Sequence, residues 1–446
     1  MGRPAEPGSA AGTTTRRDRP RSADAGLAPV ALLAALPVLV SLWKQGPCLD
    51  HGWGGSEPFW RYCYSDLAVG VQTAGAGRGL TAYVSGEVPL DQPPLTGAFV
   101  SLVAGLGPGG SDLATQRWVL AVWAVLALAA LVLMAWWVRT MPEHRGADPW
   151  QVALAPVAAL TLLLSPDLLG VVLATGGLWA WGRRHPALAG ALLGAGAMAR
   201  TYPALLLVVI AGHAWRTGRE RELVPLAGAC VAVLVLVAAP LLALSPSTLT
   251  QSWSSWLDAP AGLGSVWYLP TLAGSQWPSA VLTVVAVLGI TLALVLAGLR
   301  VLGAPSTPRL GAVALLAVTV VLVTGKSFPV QASLWLVPLV ALAGLTWRDH
   351  LVWALAEGVH FVAVWLYLGG LQNPDKSLPP GWYSLALLLR VAAVAFLAVR
   401  AWQTASTFPR RPWDPPPEVD SSHLRGDPPS REVRAPAPKS PAAPTI

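Results

Sequence analysis

Four ionisable residues in this 446-residue chain stand in sequence that otherwise tolerates little charge. Asp66 lies in Tyr62-Cys63-Tyr64-Ser65-Asp66-Leu67, and Asp167 in Ser165-Pro166-Asp167-Leu168-Leu169. Arg200 lies in Ala199-Arg200-Thr201-Tyr202-Pro203, and Lys326 in Gly325-Lys326-Ser327-Phe328-Pro329. A cation pair suits phosphate oxygens, and a carboxylate beside it suits removal of a proton from an attacking hydroxyl. Each residue also has an ordinary reading. Asp167 could cap the helix that starts at Leu168. Arg200 and Lys326 could reach lipid headgroups, and Arg61 with Asp66 could be a solvated loop pair of little consequence. What points to chemistry is the gathering of all four at one membrane depth.

That depth follows from the elements around them. The chain is 54% hydrophobic and 12% charged, with mean hydropathy +0.53. Soluble domains carry about twice that charged share, so soluble, disordered, fibrous and disulfide-scaffold classes are excluded together. Runs such as Leu223–Leu244 hold roughly 20 apolar residues, the length of a bilayer-crossing helix. The pattern predicts an all-α polytopic membrane protein with about twelve spans. They fall at 27–43, 114–138, 149–164, 167–181, 187–199, 202–214, 223–244, 278–299, 311–324, 329–346, 350–369 and 381–400. The N-terminal arginines and the first apolar stretch resemble a signal peptide, but no small-residue cleavage site follows before Lys44. The stretch 95–107 is too short to cross and is read as an interfacial or re-entrant helix within a long first extracytoplasmic loop, 44–112. Residues 27–401 make the membrane domain. The polar segment 1–26 and the Pro-rich segment 402–446 read as disordered cytoplasmic tails.

The net charge of +7 comes from 30 Lys and Arg against 23 Asp and Glu, and the basic residues are scattered through short loops. They read as topology markers rather than a nucleic-acid surface. Placing Arg139, Arg183, Arg184, Arg216, Arg300, Arg309, Arg348 and Arg400 inside puts both termini in the cytoplasm of a multi-pass cell-membrane protein. Arg200 and Lys326 then sit outside, at the tips of tight turns, where a cation needs an explanation. Asp66 and Asp167 share that face.

Cys48 and Cys63 flank one polar segment, and both a disulfide and two lone thiols fit the sequence. Trp53, Trp60, Trp253, Trp256, Trp267 and Trp277 fall in the two longest outer loops, where indole faces could stack on a sugar or simply mark the interface. Glu357, His360 and Arg390 lie within spans and are functional candidates that could equally pair with one another. No Walker loop, dinucleotide fingerprint or metal-ligand spacing is present, so neither a cofactor nor a metal is expected.

The segments Cys63-Tyr64-Ser65-Asp66-Leu67, Arg78-Gly79-Leu80 and Pro94-Leu95-Thr96-Gly97 resemble the first external loop of actinobacterial glycosyltransferase family 87. The likeness continues through Asp167-Leu168-Leu169, Ala189-Gly190 and Arg200-Thr201-Tyr202-Pro203. It ends in Gly264-Ser265-Val266-Trp267-Tyr268 and Lys326 … Gln331 … Leu334-Trp335-Leu336-Val337-Pro338. The family's members are integral-membrane GT-C enzymes that include polyprenyl-phosphomannose-dependent mannosyltransferases.

The resemblance implies a GT-C type helical bundle. It implies transfer of a sugar, with mannose the expectation, from a polyprenyl-phosphate donor to an envelope lipid, glycan or protein acceptor, with inversion. Asp66 would be the base, Arg200 and Lys326 the phosphate clamp, and Asp167 an orienting residue. The matched Arg78, Tyr202, Gln331 and Trp267 would be further substrate contacts. Three departures stand out: Gln92-Pro93 where an acidic-aromatic pair is expected, Ala259-Pro260-Ala261 where an arginine is expected, and Pro329-Val330-Gln331 in place of Ser-Pro-Gln. The alternatives are a polytopic transporter or lipid flippase, and a catalytically diverged, non-enzymatic relative.

Overall fold

The computed structural model describes residues 27–142 and 147–404, together with Gly2. The expected tails, except Gly2 and the three residues from Trp402 to Thr404, and Arg145 lie outside the described residues. Within them the secondary structure is helical, with no strand.

Helix α1 (Leu27–His51) runs about two turns beyond its expected end at Trp43. The reason is tertiary: Lys44 donates to the Leu160 carbonyl at 2.7 Å, and Cys48 is bonded to Cys63. Both residues therefore belong to the helix and not to the loop. The loop that follows folds into short helices, among them α2 (Asp66–Ala74) and α3 (Pro94–Gly105). At 12 residues, α3 is about 18 Å long, too short to cross a bilayer core of about 30 Å.

After α4 (Asp112–Thr140), the span expected at 149–164 breaks into two short helices, Trp150–Ala153 and α5 (Pro156–Thr161). Pro156 opens α5, and a proline both lacks an N–H and pushes the preceding residue out of helical backbone. Ala155 duly sits at ψ 118. The rest of the bundle is α6 (Asp167–Gly182), α7 (Pro186–Ala199), α8 (Tyr202–Arg216), α9 (Leu223–Leu244) and α10 (Pro246–Asp258). It continues with α11 (Ser279–Gly303), α12 (Leu310–Thr324), α13 (Ser333–Ala343), α14 (Trp347–Gln372) and α15 (Pro380–Thr404).

Among the described residues six helices are long and apolar enough to cross a membrane: α1, α4, α9 with its preceding turn, α11, α14 and α15. The chain thus has the helices of a multi-pass membrane protein. The other expected spans are helical but shorter. Burial varies widely among them. Residues 310–319 of α12 and 336–343 of α13 are buried without interruption, whereas α9 and α11 expose Val235, Leu236, Val287 and Leu288 on their outer surfaces. Helices α7 and α9 touch backbone to backbone at Gly190, where a Cβ would overlap the Leu226 carbonyl.

Arg390 of α15 is fully buried. Its Nε donates to Glu357 of α14 at 2.8 Å, and its terminal nitrogens donate to the Phe328 and Pro329 carbonyls and to Ser333 Oγ. Glu357 in turn accepts from Ser333 Oγ and from Trp353 Nε1. Glu357 therefore pairs with Arg390, not with His360 one turn along. Removing one member of a buried ion pair strands the other, at a cost of about 3–5 kcal/mol. Glu357→Ala should lower the thermal midpoint of the detergent-solubilised protein accordingly; an unchanged midpoint would show that Arg390 does not rely on it.

Candidate active-site cavity

Asp66 is held by the irregular chain between the end of α5 at Thr161 and the start of α6 at Asp167. Its backbone N–H donates to the Leu164 carbonyl at 2.7 Å, and Ser65 Oγ donates to the Leu163 carbonyl at 2.7 Å. The Lys44 bond to Leu160 fixes the same segment from the α1 side. Carbonyls freed at a helix end are obligate acceptors in an apolar setting, and here three of them anchor α1 and the start of α2.

From the other direction, Cys63 is tied to Cys48 across 15 positions, and its carbonyl accepts from Trp53 Nε1. The Cys63 N–H donates to the Pro58 carbonyl. Between these ties Tyr62 is in left-handed backbone, φ 56, which is costly for a residue with a Cβ.

Asp66 lines a cavity of about 360 Å³. One wall is aromatic: Phe59, Tyr64 and Trp365 pack with ring centroids 5.2–5.8 Å apart. The buried indole N–H of Trp365 has no hydrogen-bond partner among the described residues. Gly262, Leu263 and Gly264, with Ser327 and Pro329, also line it. Gln331 donates to Asp66 Oδ2 at 3.3 Å.

Burial pushes the Asp66 carboxyl up to about 6; a hydrogen bond from Tyr64 opposes this, the Asp167 charge adds to it and the Arg200 charge opposes it. Burial also raises Tyr64, so its hydroxyl keeps the proton it shares with Asp66. Asp66 is then mostly ionised at neutral pH yet close enough to neutrality to accept a proton readily.

Asp167 and Arg200 sit beside it as a buried pair. Asp167 Oδ1 accepts from Arg200 Nη2 at 2.6 Å and from Ser165 Oγ at 2.9 Å, and Oδ2 accepts from Trp335 Nε1 at 2.6 Å. Tyr202 stacks on Trp335 with centroids 4.7 Å apart. Arg200 Nη1 donates to the Ala199 carbonyl, while its buried Nε has no partner. Asp167 is thus more than a helix cap.

The expected clamp does not assemble. Lys326 Nζ donates to the Leu257 and Ala259 carbonyls and to Thr283 Oγ1, so its ammonium is fully engaged elsewhere. Arg78 is exposed and paired with Glu87. Trp267 donates to the Thr324 carbonyl and packs on Trp277 rather than lining the cavity. Asp66, Asp167, Arg200, Tyr202 and Gln331 are the members of the sequence-derived set that the fold brings together.

Tyr64 and Trp335 were visible only as letters within motifs. Trp365 carried no signal, being one of 22 tryptophans. Trp53, a stacking candidate from sequence, is buried and donates to Gln45 and Cys63. Among the described residues no three His, Cys, Asp or Glu side chains gather as a metal site. No family model and no curated protein matches the chain.

The raised carboxyl makes a test of pH dependence. Native Asp66 holds its proton to higher pH than the unfolded chain does, so its contribution to stability is present below the ordinary aspartate range and is lost as pH rises through about 6. Asp66→Asn cannot ionise. Its thermal midpoint relative to wild type should therefore rise between acidic and neutral pH; a constant difference would place the native carboxyl at its ordinary value.

Proposed function

We propose that the chain is an inverting membrane glycosyltransferase with a GT-C type bundle of about twelve crossings, taking a sugar from a polyprenyl-phosphate donor at the outer face of the cell membrane. The observation that carries the proposal is Asp66. It is a carboxylate raised to about 6, set in a 360 Å³ cavity beside the Asp167–Arg200 pair. Asp66 takes the proton of an acceptor hydroxyl as that oxygen bonds to the anomeric carbon. The bond from that carbon to the phosphate oxygen breaks, and the electron pair leaves with the lipid phosphate. Acceptor and leaving group lie on opposite faces of the sugar, so the configuration inverts.

Arg200, whose Nε has no protein partner, is the cation offered to the leaving phosphate. Asp167, held by Trp335 and Ser165, keeps the guanidinium oriented. The aromatic wall of Phe59, Tyr64 and Trp365 suits a sugar ring, as do the Gln331 amide and the unpartnered Trp365 N–H. Mannose as the sugar, and an envelope lipid, glycan or protein as acceptor, follow from the family resemblance. A carrier, the alternative that about twelve spans also suit, would need charges free within the spans; of Glu357, His360 and Arg390, the ones the sequence offers, the first and last are paired with each other, which favours the transferase.

A general base contributes about 10²–10⁴-fold to such a step. Asp66→Asn in membranes supplied with radiolabelled polyprenyl-phosphate mannose should lose at least about 100-fold in transfer while the protein remains inserted and folded. Retained turnover in that variant would remove Asp66 from the mechanism.

A further inference from the structure

Lys326 is the residue whose expected and observed surroundings differ most. Its side chain is fully buried, and all three ammonium protons go to protein acceptors: Thr283 Oγ1 at 2.7 Å, the Leu257 carbonyl at 2.9 Å and the Ala259 carbonyl at 3.1 Å. The Trp256 ring covers the charge with its centroid 4.6 Å away. An ammonium has three donors and no more, so a phosphate could be bound only by surrendering one of these bonds. Leu257 lies in the last turn of α10 and Ala259 just beyond it, where unpaired carbonyls and the helix dipole both favour a cation.

The acceptors reveal what the lysine holds. Ala259 begins the strap that runs through Gly262, Leu263 and Gly264, three of the residues that line the cavity with Asp66. The strap is sewn to the turn that carries Lys326. Gly262 N–H donates to the Lys326 carbonyl at 2.8 Å, Ser265 Oγ to the Gly325 carbonyl at 2.6 Å, and Trp267 Nε1 to the Thr324 carbonyl at 2.9 Å. Farther along the same turn, Arg390 grips the Phe328 and Pro329 carbonyls. Next comes Gln331, the donor to Asp66. At Gly264 the two layers are so close that a Cβ would overlap the Phe328 carbonyl and the Arg390 guanidinium.

We infer that Lys326 is a positioning residue, not a phosphate ligand: it fastens the 259–264 strap to α10 and α11 and so sets the width of the cavity over Asp66. The inference rests on the transferase reading only for what fills the cavity. Under that reading the lysine governs how well the acceptor fits, and Arg200 alone faces the donor phosphate.

The test uses the full chain in lipid nanodiscs. In Lys326→Met, amide exchange of the segment 257–268 should rise by about tenfold or more, as expected when charge-assisted bonds to the strap are lost. Binding of sugar-free polyprenyl phosphate should stay within about twofold of wild type, and in the transfer assay the loss should appear in the acceptor KM with kcat nearly unchanged. Lys326→Arg, which keeps charge and donors, should restore most of the protection. If Lys326→Met does not fold, Thr283→Val removes one acceptor and should loosen the same segment by a smaller factor.

Unchanged exchange in 257–268 overturns the inference. So does a loss of about tenfold or more in polyprenyl-phosphate affinity, whether or not the strap loosens. A wild-type protein that binds no polyprenyl phosphate and transfers no sugar would sink the transferase reading, yet the exchange measurement would still decide the role of Lys326.

Discussion

The hydrogen bond from the Asp66 amide to the Leu164 carbonyl is the joint on which the site depends. It exists because α5 ends at Thr161 and α6 does not begin until Asp167, after Pro166, leaving carbonyls at the end of α5 that must find donors away from water. Lys44, Ser65 and Asp66 supply them. The cost of an unpaired carbonyl in an apolar bundle thereby fixes the connection after α1 against the interior, and the Asp66 side chain is delivered to the cavity as a consequence.

The same rule organises the charges. Arg390 is tolerable at full burial because Glu357, Ser333 and two carbonyls satisfy it. Lys326 is tolerable because three acceptors and an indole face surround it. Arg200 differs from these two: Asp167 and one carbonyl engage its terminal nitrogens, and Nε is left over, as are Nε and Nη2 of the buried Arg300 on α11. A buried guanidinium with a donor to spare, next to a carboxylate raised by burial, differs in kind from a saturated structural pair. In the proposed reading, the conjunction of that spare donor with the raised carboxylate, rather than the mere presence of cations, is what places the ligand chemistry at Arg200.

The aromatic wall shows how remote segments build one surface. Phe59 and Tyr64 come from the connection after α1, positioned by the Cys48–Cys63 bond and the left-handed Tyr62. Trp365 comes from α14, some 300 residues along the chain. No period or motif in the sequence relates them, and Trp365 is indistinguishable there from tryptophans that serve an interface.

By itself the sequence determined the helical, multi-pass character of the chain, the approximate place of most of its apolar helices, and the grouping of Asp66, Asp167 and Arg200. These depend on apolar run length and on the positions of proline and charge, which are local properties. Only the tertiary structure decided that Cys48 and Cys63 are bonded, that α1 carries Lys44 inside the helix, and that Lys326 turns to α10 and α11. The physical reason is common to all three. Each was settled by which distant backbone carbonyl or side chain lay within reach, and reach across a bundle is set by packing, which no local stretch of sequence records.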